Sequence, residues 1–119
     1  MIKAKGKITI APEVLISIAR LSTFSVAGVS ALAINVGGVN RWFEKGLSEG
    51  VHITVEDNKV YADIFVILKP DTNVLETSHV IQHQVARAIS EMVGMEVGKV
   101  NVHVEDIELN SPMISAAAA

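Results

Sequence analysis

The run GVHITVEDNKVYADIFVILK, from Gly50 to Lys69, alternates on either side of a single break. Val51, Ile53 and Val55 alternate with His52, Thr54 and Glu56. Val60, Ala62, Ile64, Val66 and Leu68 then alternate with Tyr61, Asp63, Phe65 and Ile67. A period of two predicts a β-hairpin, and the break, Asp57-Asn58, consists of residues that tolerate positive φ at low cost. A two-residue loop sets the register. Val55 then faces Val60, Ile53 faces Ala62 and Val51 faces Ile64 on one face, while Glu56 meets Lys59 and His52 meets Asp63 on the other. A slip of one residue would put the valines in water. The resulting sheet has one strongly apolar face, and the helical segments flanking the hairpin are what can cover it.

Upstream, Lys3 to Ile10 reads as a first strand, with Lys3, Lys5 and Lys7 on one side, Ala4, Ile8 and Ile10 on the other, and Gly6 interrupting. Alternating lysines suit a strand near a sheet edge. A helix opens at Pro12 with Glu13 beside its positive end; its expected core stripe is Val14, Leu15, Ile18, Ala19 and Ser22, and it stops before Gly28. Leu21 to Val39 is 19 residues without a charge, the length of a membrane span. Three glycines, Asn35, three serines and Thr23 argue against a span, and the strand-like alternation of Val29, Ala31 and Ala33 favours a helix end, a turn and a short strand or irregular arm. Gly37-Gly38 marks a turn, and Val39 to Lys45 reads as a short amphipathic helix presenting Arg41, Trp42 and Phe43.

Downstream, Pro70 ends the hairpin, and Asn73 with Glu76 forms a capping-box-like start to a long helix, Val74 to Val93, ended by Gly94. Its expected buried face is Val74, Ile81, Val85, Ala88, Ile89 and Met92. The last strand is Val97 to Leu109, with Val100, Val102 and Val104 inward and Asn101, His103 and Glu105 outward. The predicted fold is an α+β two-layer sandwich: a mainly antiparallel sheet with two long helices on one face, in a β-α-β-β-β-α-β-like order. One domain spans residues 1–110, and residues 111–119 are a disordered tail.

Composition narrows the chemistry. With no cysteine, disulfides are excluded and structural zinc lacks its commonest ligand. Aromatics at 4% and a net charge of -3 argue against nucleic acid, and no two glycines are spaced as a KH-type G-x-x-G loop requires. Residues 1–45 carry six basic and two acidic side chains, net +4; residues 46–119 carry four and eleven, net -7. Such halves suit solvated faces or contact between copies. The basic patch of Lys3, Lys5, Lys7, Arg41 and Lys45 is too small to anchor stably on a membrane, at about 1 kcal/mol per basic residue before screening.

Three groups of residues bear on chemistry. Gly46-Leu47-Ser48-Glu49-Gly50 matches G-x-S-x-G, but a strand follows the serine where the nucleophile elbow needs a helix. His79 and His83 lie four apart on one helix, the spacing of two metal ligands, yet Val80 stands where H-E-x-x-H has its glutamate and no third ligand is fixed, so a solvated helix face is the favoured account. His52, Asp63 and His103 gather on the outer sheet face without an evident nucleophile. No catalytic residue, cofactor or metal is expected. The outer residues Tyr61, Phe65 and Ile67, with the arm bearing Arg41, Trp42 and Phe43, are the expected interaction surface, for contact between copies or for the arm folding over its own sheet.

GKITIAPEV at residues 6–14, Ala27-Gly28-Val29, KGLSEGVHITV at 45–55, EMVGMEV at 91–97 and VNVHVEDI at 100–107 together resemble the alkaline shock protein and Gls-type envelope stress response family of bacteria. The resemblance covers about residues 5–109 and brings no catalytic or cofactor residues. It implies a small cytoplasmic, non-enzymatic stress protein that self-associates and sits peripherally at the inner membrane face through a protein partner. Ala11, ahead of Pro12, departs from a polar cap. The alternative function is a regulatory binding domain for a cytosolic enzyme or small ligand.

Overall fold

The computed structural model describes residues 4–33, 47–48 and 50–108. In chain order these form helix α1 (Pro12–Phe24), strands β1 (Val29–Leu32), β2 (Leu47–Ser48), β3 (Val51–Glu56) and β4 (Lys59–Leu68), helix α2 (Val74–Val93) and strand β5 (Glu96–Ile107). The hairpin forms in the expected register, with Val51 opposite Ile64, Ile53 opposite Ala62, Val55 opposite Val60, His52 opposite Asp63 and Glu56 opposite Lys59. Asp57 at φ 52° and Asn58 at φ 63° supply the two positive-φ positions of the turn.

Strand β4 is the centre of the sheet. Its first part pairs with β3 and its end with β1, both antiparallel, while β5 runs parallel along its other edge and β2 extends β3 outward. The parallel pairing follows from α2, a crossover long enough to return the chain to the same end of β4. Two register shifts against β4 kink β5, one where Gly98 is passed over and one at Glu105. Both helices cover one face, where Val60, Ala62, Ile64, Val66 and Leu68 are fully buried with Val51, Leu15, Ala19, Ile81, Val85 and Ile89.

The helix ends follow their sequence signals. Asn73 accepts from the Glu76 backbone N–H at 2.9 Å, and Gly94 closes α2 at φ 79°. Helix α1 has no side-chain cap at Ala11 and relies on Pro12 for its start.

The helix stripes need correction. On α1 the buried residues are Leu15, Ile16, Ile18, Ala19 and Thr23, whereas Val14 is exposed and Ser22 half-buried. Successive helical residues diverge by about 100°, so burying Leu15 and Ile16 together turns Val14 outward. Thr23 is tolerated in the core because its hydroxyl donates to the Ala19 carbonyl at 2.7 Å. On α2 the buried residues are Thr77, Ile81, Val85 and Ile89, with Val74 and Met92 exposed. Both lie on the predicted side of the helix, but in its first and last turns, beyond the residues packed against the sheet.

The expected first strand is absent. Residues 4–10 are exposed and unpaired, with Ile8 90% accessible, and the observed order begins with α1. Both edges of β4 are filled, one by β5 and the other by β3 and β1, and the segment leads into α1, which packs on α2, β3 and β1, away from the outer edge of β5. The uncharged run from Leu21 resolves, in its described part, into the end of α1, a turn at Gly28 and β1; no described helix is long and apolar enough to cross a membrane. The turn at Gly37-Gly38, the short helix at 39–45 with Arg41, Trp42 and Phe43, and the tail at 111–119 lie outside the described residues.

Candidate functional site on the outer sheet face

The outer face is built by the odd residues of β4 and the residues of β5 and β3 beside them. Register sets Asp63 between His52 on β3 and Asn101 on β5, and Phe65 beside His103. Asn101 Nδ2 and His103 Nε2 each donate to Asp63 Oδ1 at 3.1 Å, while His52 Nδ1 stands 3.8 Å from Asp63 Oδ2. Burial pushes the Asp63 carboxyl up, but the hydrogen bonds from His103 and Asn101 and the nearby charges of His103 and His52 together outweigh it and hold the group below the usual carboxylate range.

The structure therefore brings together the three residues expected to gather, His52, Asp63 and His103, and adds Asn101. The alternation of β5 had placed Asn101 outward, yet its distance to Asp63 depended on how β5 would align with β4. The same unknown hid an aromatic contact: the His103 and Phe65 rings stack with centroids 4.5 Å apart and planes at 14°. A carboxylate that accepts two hydrogen bonds orients its neighbours, and no hydroxyl or other nucleophile joins this group in those contacts.

Phe65 departs from the expected exposed outer surface. It is 5% accessible, while Tyr61 and Ile67 are half-buried. The chain thus covers part of this face itself. Tyr61 lies across Gly98, where a Cβ would fall 2.5 Å from the ring, so the glycine in the kink of β5 makes room for the tyrosine.

His79 and His83 are exposed on α2, and His79 Nδ1 is 3.2 Å from Gln82 Oε1. Among the described residues no three of His, Cys, Asp and Glu are grouped to hold a metal ion. Elsewhere, Gln82 Nε2 donates to the Val100 carbonyl at 3.1 Å, beside a shallow groove between α2 and β5 lined in part by Ala86, Val97 and Lys99.

Two helices on one side of a five-stranded sheet, with an interlocked polar and aromatic outer face, define a small α+β two-layer domain. The chain belongs to the alkaline shock protein 23 family, of cell envelope-related function, whose family model matches residues 1–109. It is 37% identical over 103 residues to the uncharacterized protein Spy1535 of Streptococcus pyogenes, covering 86% of this chain and 79% of that one. It is 23% identical over 108 residues to the uncharacterized protein YqhY of Bacillus subtilis, covering 89% and 80%. A two-position variant of MamM-CTD has a similar fold, with TM-score 0.50 and 14% identity over 82% of this chain and 95% of that one. At that identity the likeness is one of fold alone.

Proposed function

We propose that the protein is a non-enzymatic cell-envelope stress response protein that self-associates and acts as a scaffold, through protein partners, at the cytoplasmic face of the membrane. Its membership of a cell envelope-related family supports the setting. The observation that carries self-association is β5: a strand of 12 residues that, among the described residues, pairs along one edge only, with β4. An open edge of that length is a template for another chain, and monomeric proteins usually shorten or cover such edges. Light scattering over a concentration series, with fractionation of the native cell, tests this reading. The expected result is a mass above the monomer and recovery with membranes that is lost when the partner is removed; a monomer mass at every concentration overturns it.

The groove beside Gln82 favours a second reading, a regulatory domain that binds a small ligand. A metabolite that raises the melting temperature in a concentration-dependent way would select that reading over the scaffold.

A further inference from the structure

Two segments of this chain have the sequence of paired strands and, among the described residues, keep an edge with no strand against it. In residues 4–10 the polar Lys5, Lys7 and Thr9 alternate with Ala4, Gly6, Ile8 and Ile10, yet the segment stands exposed ahead of α1. Among the described residues strand β5 presents an open edge, and its inward residues Val97, Val102, Val104 and Ile107 are only partly buried at the rim of the core. Gln82 caps the Val100 carbonyl near the start of this strand, and on the edge away from β4 no described strand lies against its later part, from Asn101 to Ile107.

We infer that residues 4–10 of one copy add to the open edge of β5 in a second copy, as an antiparallel sixth strand. The inference rests on the self-association reading and names its interface. Pairing Ile10 beside Val102 and Ile8 beside Val104 puts both isoleucines on the helix side, where they close the rim of the core. The same register sets Lys7 beside Glu105 and brings Lys5 towards Asp106 and Glu108, so the basic arm lies along the acidic end of β5. Gly6 then falls opposite Asp106, next to the kink at Glu105, where a residue without a side chain is easily accommodated.

The occupant is a second copy because the arm starts on the wrong side of its own sheet. It leads into α1, which packs on α2, β3 and β1, whereas β5 lies on the opposite edge of β4. Main-chain hydrogen bonds along the added strand supply affinity, and the isoleucine and lysine positions supply register. Reciprocal exchange between two copies gives a closed dimer; one-way donation gives a chain of subunits.

The absence of cysteine provides a direct test. A Lys7→Cys chain mixed with a Glu105→Cys chain, under mild oxidation, is expected to yield a cross-linked heterodimer several-fold above what either chain forms alone, because only paired strands bring the two sulfurs within reach. An Ile8→Asp, Ile10→Asp chain is expected to run as a monomer at concentrations where the unaltered chain is larger, with its circular dichroism unchanged. If the unaltered chain assembles and this variant assembles equally, without the cross-link, the interface is wrong and self-association stands. If the unaltered chain is a monomer throughout, both readings fall. A doubly substituted chain that closes its disulfide within one monomer also overturns the inference, since the arm would then lie on its own β5.

Discussion

The two faces of β4 are made from the same ten residues and are held in different ways. Inward, Val60, Ala62, Ile64, Val66 and Leu68 are wholly shielded under two helices. Outward, Tyr61 rests on Gly98, Asp63 accepts from Asn101 and His103, and Phe65 stacks on His103. The inward face needs only that apolar side chains fill a volume, a requirement many sequences meet. The outward face depends on particular partners at particular distances, supplied by β5 except for His52 of β3, which stands 3.8 Å from Asp63. A change inside should therefore cost stability in proportion to volume, and a change outside should reveal which partner was lost.

The largest expected effect is on the inner face. Ile64→Ala should lower stability by about 2–5 kcal/mol, read from the midpoint of urea unfolding. A cost below about 1 kcal/mol would mean that the helices close over the gap, and the contrast between the faces would weaken.

On the outer face, His103→Ala removes the stack on Phe65 and one hydrogen bond to Asp63, and should cost about 1–2 kcal/mol. His103→Phe keeps an aromatic ring without the donor, so the difference between the two variants separates stacking from hydrogen bonding. Equal losses in both would assign the whole effect to the hydrogen bond.

The smallest effect is a pH dependence. Because the folded Asp63 carboxyl is held below its ordinary value near 3.9, the folded state favours its ionised form. That contribution is complete above the unfolded value and is lost as pH falls through the lower, folded value. The stability difference between the unaltered chain and Asp63→Asn should therefore shrink as pH falls below about 4. A difference that stays flat down to pH 2 would show that the hydrogen bonds around Asp63 do not depend on its charge.

Much of this molecule was legible in the chain. The alternation about Asp57-Asn58 set the hairpin and its register, because a period of two with one apolar face permits a single alignment. Asn73 and Gly94 fixed the ends of α2, because capping is a local matter of one side chain or one positive φ. Residues 4–10 show the limit of such reasoning: alternation gives a segment the capacity to pair, but pairing also needs a free edge within reach, and β4 had none left while β5 lies on the side away from α1. Val14, Val74 and Met92 failed for a related reason, since an apolar residue is buried only where another element arrives to cover it. The site was half legible. The hairpin placed His52 opposite Asp63, but the neighbourhood of Asp63, Asn101 and His103, and of Phe65 and His103, awaited the alignment of β5. The connection from β4 to β5 passes through a 20-residue helix, and no turn rule carries register across it. The sequence by itself thus determined the local elements, whose causes lie within a few residues. The tertiary structure alone decided which edges were filled, which face was sealed and which side chains met across β4 and β5, because those depend on packing between segments far apart in the chain.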